Sequence, residues 1–566
     1  MKKKPLAVLT IITLILVPLL SRGQTYQWLA TGYGNPDGVA ATDKYGNAYL
    51  AGDFSSNLIF GKDTLQYGGY IKSYLVKYDS SGKLLWAVQS KGPSNSTCEV
   101  FSLAIDNSGN TFITGEIQDT VFLGPYTLMN SNPPSSCAFI AKYDKNGNIL
   151  WAKQAPSYNG LTTSVAIDLS GNALITGVFA DTIAFGSIIL RDSGWGIFTA
   201  KYDPNGNILW AKQSLGQVSD FFSRISTDNS GNSYITSWFY DSATFGSIKL
   251  KGPYNRNTLL LVKYDPSGNV IWAKQSYTIS TNGSAQGCAI TKSRNNDFYV
   301  AGSFTDTVLI GSDTITSLKP SQGDIFIAKY DSSGNVIWVK SGTVLDSNYW
   351  LPFNISADTV NRFYITCGTY DAQYTGHTTC KIKLGTDTFL LNDNPIYDGA
   401  SILAEFDSSG RILCGDIIPA GEPDGGAFVL NNLVTDASGK YVYLGGSAMG
   451  DNLVFGAYTV SGWNGYLAKW QPCEDVLGIE NLSQKVANVI VYPNPNRGMF
   501  TIGLSGLIGK TSVVIYDILG EQIYKANLYD TNTQIDLSNY ASGIYLYRIL
   551  TETTSIVSTG KLIIQK

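Results

Sequence analysis

The sequence predicts an all-β protein: a seven-bladed β-propeller closed by an N-terminal strand, followed by a small C-terminal β-sandwich. Three observations carry this. One phrase recurs along the chain, with aromatic landmarks at Tyr78, Tyr143, Tyr202, Tyr264, Tyr330, Phe406 and Trp470, about 60–75 residues apart. The last repeat lacks its final strand, and the N-terminus holds a matching one. After Trp470 the repeat stops, and a different strand pattern runs to residue 566.

Composition sets the outer bounds. Charged residues are 15% of the chain, and 40 basic against 44 acidic side chains leave a net charge of −4. The balance lacks the basic field that a nucleic-acid partner would demand, and the charge excess of a disordered chain. His377 is the one histidine. Chemistry built on a Ser/His pair or on two His ligands is therefore not expected.

The chain opens as an export signal, residues 1–23. Lys2, Lys3 and Lys4 precede an apolar run from Leu6 to Leu20, and Ser21 and Gly23 are the small residues a signal peptidase requires. Cleavage is expected between Gly23 and Gln24. The run is short for a membrane span, no other long apolar run follows, and no transmembrane segment is expected in the mature chain. The seven cysteines are odd in number and irregularly spaced. Cys367 and Cys380 are placed to pair within one repeat; the others read as buried small hydrophobes.

Residues 24–473 form the propeller. Ala141-Lys142-Tyr143-Asp144 leads through Asn146-Gly147-Asn148 to Trp151-Ala152-Lys153-Gln154, and the phrase returns around Trp210, Trp272 and Trp338. An altered copy holds Trp86, and degenerate copies hold Phe406 with Cys414, and Trp470. A second phrase, Asp168 to Gly177, is echoed from Asp43, Asp106, Asp228 and Asp436. Alternating apolar and polar residues rich in Ile, Val, Tyr and Thr mark short strands, and Asp-x-x-Gly-Asn marks tight hairpins with a φ > 0 glycine. Each unit offers about four strands, and one such sheet cannot bury both faces alone. Radial packing solves this. Gln27-Trp28-Leu29-Ala30 is similar to Trp210-Ala211-Lys212-Gln213, so the N-terminus is expected to complete the last blade and remove its exposed edge. On the Asp-x-x-Gly-Asn-x-Tyr phrase, seen from Asp43 to Gly52, residues 25–473 resemble the bacterial seven-bladed propeller repeat family often called SBBP. That resemblance implies exported propellers and no particular chemistry.

Residues 474–485 read as a polar linker, and residues 486–566 as a second domain. Its phrases are Tyr492-Pro493-Asn494-Pro495-Asn496-Arg497-Gly498, Val513 to Asp517, Ser542-Gly543-Ile544-Tyr545, and Lys561 to Lys566. In this order they resemble the type A C-terminal sorting domain of the type IX secretion system. The resemblance implies export through Sec and then the type IX translocon, as the partner of this domain, in bacteria of the Bacteroidota phylum. It also implies release or attachment at the outer-membrane surface.

Candidate chemistry is sparse. The Asp144 loop supplies one carboxylate with Asn146 and Asn148, which suits a hairpin better than a calcium loop. The aligned Trp28, Trp86, Trp151, Trp210, Trp272 and Trp338 suit packing on the outer strand of each blade. His377 reads as a solvated loop residue; no metal and no cofactor is expected. Asp-Thr or Asp-Ser before an aliphatic residue or alanine recurs at Thr120, Thr182, Ser242 and Thr307. This resembles the O-glycosylation acceptor motif of the same phylum, and it also fits a strand start with a local Asp cap.

The Gly-Asn hairpins lie on one side of a propeller, and the variable connections on the other. Those connections carry Tyr158, Trp195, Asp220, Phe221, Tyr254, Asp346, Tyr349, Trp350 and Glu422, a set suited to stacking on sugars and bonding their hydroxyls. The leading expectation is a monomeric, non-enzymatic binding, adhesion or scaffold module with a glycan or surface-protein ligand. The alternative is a secreted glycosidase or lyase, with Asp220 and Asp346 the carboxylates to inspect.

Overall fold

The computed structural model describes residues 25–33, 36–130, 135–218, 223–318, 323–344, 349–370, 381–384, 387–390, 400–419, 428–448, 453–455, 458–460, 464–472, 488–505, 511–517, 521–528, 532–551 and 556–566. The chain divides into two compact units, Met1–Cys473 and Glu474–Lys566. The described residues form strands and turns, with no helix among them long and apolar enough to cross a membrane.

The first unit is built from seven four-stranded antiparallel blades. Their inner strands are Pro36–Thr42, Thr97–Ile105, Ser157–Ile167, Arg224–Thr227, Ser284–Lys292, Tyr349–Ala357 and Phe428–Thr435. Each touches the next, and the last touches the first, so they ring a central axis. Blade 3 shows the plan: Ser157–Ile167, Ala173–Phe185, Ile188–Tyr202 and Ile208–Val218, from axis to rim. In blade 7 the outer strand is Thr25–Tyr33, paired with Asn464–Gln471 from Tyr26↔Trp470 to Tyr33↔Asn464. The N-terminus thus closes the ring.

Neighbouring blades bury apolar faces against each other. Between blades 2 and 3, Phe112 and Trp151 meet Ile175, Phe198 and Ala211. Every blade needs two neighbours to cover both faces, which is why the repeat is stable only as a closed set. The glycine ending the strand phrase is a steric requirement. A bulge in the inner strand, between Thr162 and Ser164 in blade 3, pushes a carbonyl toward the second strand. A Cβ at Gly115, Gly177 or Gly302 would lie 2.0 Å from the carbonyl oxygen of Glu99, Leu161 or Gln286.

One expectation is extended and one is corrected. The four-stranded blades hold, and beyond them the link between second and third strands folds into an accessory hairpin, as in Thr120–Leu123 with Tyr126–Met129, or in blade 3 as the extended ends of Ala173–Phe185 and Ile188–Tyr202. The hairpin bonds back to the preceding blade: Tyr33↔Ile59, Lys91↔Phe122, Ser214↔Phe245 and Gly342↔Leu384. The sequence hid these strands because they are only three or four residues long in most blades. The cysteine reading also changes. Cys367 is a buried free thiol, as are Cys98, Cys137 and Cys288, whereas Cys414 is disulfide-bonded. Cys367 is buried among Tyr299, Phe363 and Ile402, where it packs as a small apolar side chain. Cys380, His377 and the 474–485 linker lie outside the described residues, as do Gly23 and Gln24.

The second unit is a sandwich of a three-stranded sheet, Asn488–Tyr492, Met499–Ser505 and Asn532–Asp536, and a four-stranded sheet. The latter holds Gln522–Leu528, Thr511–Tyr516, Gly543–Thr551 and Ile556–Ile564. Phe500, Ile502 and Ile535 from the first sheet meet Val513, Ile515, Ile549 and Leu562 from the second.

Candidate functional site

The hairpin face is consumed by structure. Asp168 Oδ1 accepts from the amides of Ser170 and Asn172, each at 2.9 Å, and Oδ2 accepts from Asn172 Nδ2 at 2.8 Å. Lys201 Nζ completes a buried ion pair with Oδ2 at 3.0 Å. Burial works against the Asp168 carboxylate, but Asn172, Lys201 and the loop amides outweigh it and hold its pKa below the ordinary value. At the outer hairpin, Asp144 accepts from the Asn146 and Asn148 amides and from Asn148 Nδ2. Both oxygens are occupied by their own turn.

The rest of the phrase joins blades. Trp151 Nε1 and Lys142 Nζ, from blade 2, both donate to the Pro204 carbonyl on the outer hairpin of blade 3, at 3.0 and 3.1 Å. The same two-donor latch closes Trp86 and Lys77 on Lys145 O, Trp210 and Lys201 on Pro266 O, and Trp272 and Lys263 on Ser332 O. Trp28 and Lys469 close it on Ser80 O across the seam. Gly206, at φ +83°, lies under Trp151, with its ideal Cβ position 2.8 Å from the ring. The fourth residue of Trp-Ala-Lys-Gln clasps the accessory region of its own blade: Gln154 bonds both the Met129 amide and its carbonyl. Blade 6 departs from the pattern. Blade 7 takes its third and outer strands from opposite ends of the chain, so no hairpin carbonyl awaits a latch. Cys414 and Glu405 stand in the Trp and Lys places, and Glu405 pairs with Arg362 at 3.0 Å.

Exposed aromatic side chains stand on both faces: Tyr45, in the Asp43 hairpin, is 69% exposed. On the opposite face, Tyr158 begins the inner strand of blade 3 and is 60% exposed; Tyr254, before the third strand of blade 4, is 74% exposed. Trp195 lies in a strand rather than a loop, paired with Ala180 and half-buried against the Leu161, Val178 and Phe239 cluster. Tyr349 and Trp350 begin the inner strand of blade 6. Asp220, Phe221, Asp346 and Glu422 fall outside the described residues. Among the described residues, no ring contact joins Tyr158, Trp195 and Tyr254. A cavity of about 560 Å³ opens elsewhere, at the rim between blades 4 and 5, beside Lys274, Gln275, Tyr277 and Asn335.

The sequence reading missed a carboxylate pair. Glu99 and Glu116 are cross-strand partners at the loop end of blade 2. Burial, and then the neighbouring Glu99, push the Glu116 carboxyl up to about 7. A signal existed: the residue after the repeated glycine is Val178 in blade 3 and Ser303 in blade 5, but Glu116 here.

The accessory hairpins locate the Asp-Thr/Ser motif. Asp119, Asp181, Asp241 and Asp306 have φ of 55–64°. Each pivots the chain into the hairpin, and Asp306 O accepts from the Ser317 amide. Thr120, Thr182 and Thr307 are half-buried, and Ser242 is exposed.

In the C-terminal unit the Pro-Asn-Pro-Asn-Arg-Gly phrase binds the last strand. Asn494 Nδ2 donates to Lys561 O at 2.7 Å, and Ile563 N donates to Asn494 Oδ1 at 2.8 Å. Asn496 and Ile564 form a parallel bridge. Pro493 and Pro495 follow cis peptide bonds. Gly498 has φ +103°, with an ideal Cβ position 2.5 Å from Ser538 Cα. Gly543 begins the strand that pairs with the last one, through Gly543↔Ile564. The scattered phrases of the sequence are therefore one contact region.

Comparison with known proteins adds partial likenesses. The chain is 26% identical over 263 residues to the uncharacterized WD repeat-containing protein L264 of Acanthamoeba polyphaga mimivirus, covering 37% of this chain and 19% of that one. It is 33% identical over 98 residues to Ulvan lyase NLR42 of Nonlabens ulvanivorans, covering 17% and 18%. The chain thus spans under a fifth of the length of these curated relatives. Among solved structures, U3-55K aligns with a TM-score of 0.43 at 9% identity, over 79% of this chain and 99% of that one. A PL25 ulvan lyase bound to -[GlcA(1-4)Rha3S]- aligns at 0.38 and 8%, over 75% and 93%. Residues 490–565 match the family model of the secretion system C-terminal sorting domain, and the sandwich at the end of this chain is such a domain.

Proposed function

We propose that this chain is an exported binding module. Residues 1–23 direct it to Sec, residues 486–566 hand it to the type IX translocon, and residues 24–473, an SBBP-type propeller, present a ligand face at the cell surface or in the medium. The ligand is a glycan or a surface protein. One observation carries the reading. On the hairpin face the carboxylates and lysines of the repeat are spent on turns and latches, as at Asp168, Lys201 and Pro266. The other face keeps exposed Tyr158 and Tyr254 on a rigid frame. Tyr349, Trp350, Trp195, Asp220, Phe221 and Asp346 belong to the proposed face, and Thr120, Thr182, Ser242 and Thr307 remain candidate glycan acceptors.

A carbohydrate-active enzyme is the second reading. Glu116 supports it, because a carboxyl titrating near 7 beside another carboxylate suits a general acid. Incubation of the full chain with insoluble and soluble polysaccharides, scoring retained protein and released sugar, separates the two. Retention without release, weakened by Tyr158→Ala, is expected; release of sugar overturns the non-enzymatic reading.

A further inference from the structure

Arg224 opens the inner strand of blade 4, within the ring around the axis. Its Nη1 donates to Ser223 O at 3.2 Å and to Thr163 O at 3.4 Å. The side chain is thereby anchored to the inner strands of blades 4 and 3. Among the described residues Nε and Nη2 have no acceptor, and neither is sealed from solvent. These two donors share one edge of the guanidinium, the edge that matches a pair of oxyanion oxygens.

No carboxylate among the described residues pairs with Arg224. A cation taken partly out of water is costly unless something compensates it, and two carbonyl contacts from one nitrogen are a small return. The ionisable group facing it from blade 5 is the Cys288 thiol. Burial pushes that thiol up to about 11, so it stays neutral. Thr163 Oγ1 is already committed to Ser223, 2.7 Å away. Lys292, four residues beyond Cys288 along the same inner strand, is held at the hairpin end, where it bonds Asn229 Oδ1 at 2.6 Å and feels the Asp228 carboxylate. The axial wall at Arg224 thus presents a donor edge unused among the described residues.

We propose that Arg224 is an oxyanion-binding residue of the axial opening, taking a carboxylate or sulfate borne on an acidic polysaccharide through its Nε and Nη2 donors. The polysaccharide part rests on the glycan reading above; the anion part does not. It gives the propeller a charge preference that the aromatic residues of the loop face cannot supply, since stacking is indifferent to a uronate or sulfate substituent.

The test uses the full chain as wild type, Arg224→Met and Arg224→Lys, with near-UV circular dichroism to establish folding. Inorganic sulfate at ionic strength fixed with chloride should raise the thermal midpoint of the wild type. The rise should vanish in Arg224→Met and fall by more than half in Arg224→Lys, which keeps the charge but loses the fork. Affinity gels containing alginate (uronate), carrageenan (sulfate) and neutral laminarin give the second readout. At least tenfold weaker retention of Arg224→Met on one acidic polymer is expected, with no change on laminarin. Equal sulfate responses in all three proteins overturn the anion site. If Arg224→Met does not fold, an undiminished response in Arg224→Lys does the same. An Arg224-dependent sulfate response without retention on any polymer overturns the glycan assignment and the reading it rests on.

Discussion

The indole Nε1 of Trp28 donates a 3.1 Å hydrogen bond to the carbonyl of Ser80. Trp28 comes from the N-terminal strand that completes blade 7, and Ser80 from the outer hairpin of blade 1. Lys469 Nζ, from the last repeat, reaches the same oxygen at 2.9 Å. Both ends of the propeller chain therefore meet on one carbonyl of the first blade. The ring is fastened at its seam by the same device that joins blades 1 to 5 in succession.

Trp28→Ala should destabilise the propeller by about 3–5 kcal/mol, the cost of a large aromatic removed from a packed interface. Trp28→Phe should cost less, roughly 1–2 kcal/mol, because Lys469 still satisfies the carbonyl. Denaturant titration of the full chain with a propeller-specific probe checks both. A Trp28→Ala loss below about 1 kcal/mol would show that the seam does not limit stability.

Gly177 is conformationally ordinary but sterically closed, with an ideal Cβ position 2.0 Å from Leu161 O. Gly177→Ala must displace backbone and should cost about 1–3 kcal/mol or more. Gly194 has nothing within 4 Å of its ideal Cβ position, so Gly194→Ala should stay within about 0.5 kcal/mol of wild type. Paired thermal melts separate the two.

Glu116 makes stability fall as pH rises. Its folded pKa, about 7, lies above the ordinary value of 4.5. Its contribution is therefore complete below the unfolded value and is lost as pH climbs through 7, by roughly 3 kcal/mol at most. Glu116→Gln should flatten the profile between pH 5 and 8 and exceed wild type at pH 8. Urea unfolding across that range measures it, and an unchanged slope would mean the carboxyl is ionised at neutral pH.

Asn494 spans two backbone positions of the last strand with one side chain. Asn494→Ala should loosen the sorting domain by about 1–3 kcal/mol, since Lys561 O and Ile563 N both lose a partner. In the native host the exported fraction should fall with it. Asn494→Asp, which keeps the acceptor and loses the donor, should lie between. Export equal to wild type in Asn494→Ala would separate the phrase from sorting.

The sequence by itself determined the periodic parts of this protein. The spacing from Tyr78 to Trp470, the Asp-x-x-Gly-Asn hairpins and the permuted Trp28 strand specify the blades and their closure, because local turn chemistry and alternation do not depend on distant contacts. Only the tertiary structure decided the rest. That Trp151 and Lys142 share the Pro204 carbonyl is a relation between blades, and neither residue carries a mark of it. That Cys414 and Glu405 are replacements, rather than decay of the repeat, follows once blade 7 is seen to lack an outer hairpin. Arg224 with its open donor edge arises where strands remote in sequence are brought around one axis, and Glu99 with Glu116 where one hairpin of blade 2 sets two carboxyls side by side. Burial and partnering there set charge and pKa, and these are properties of the surroundings rather than of the residue type.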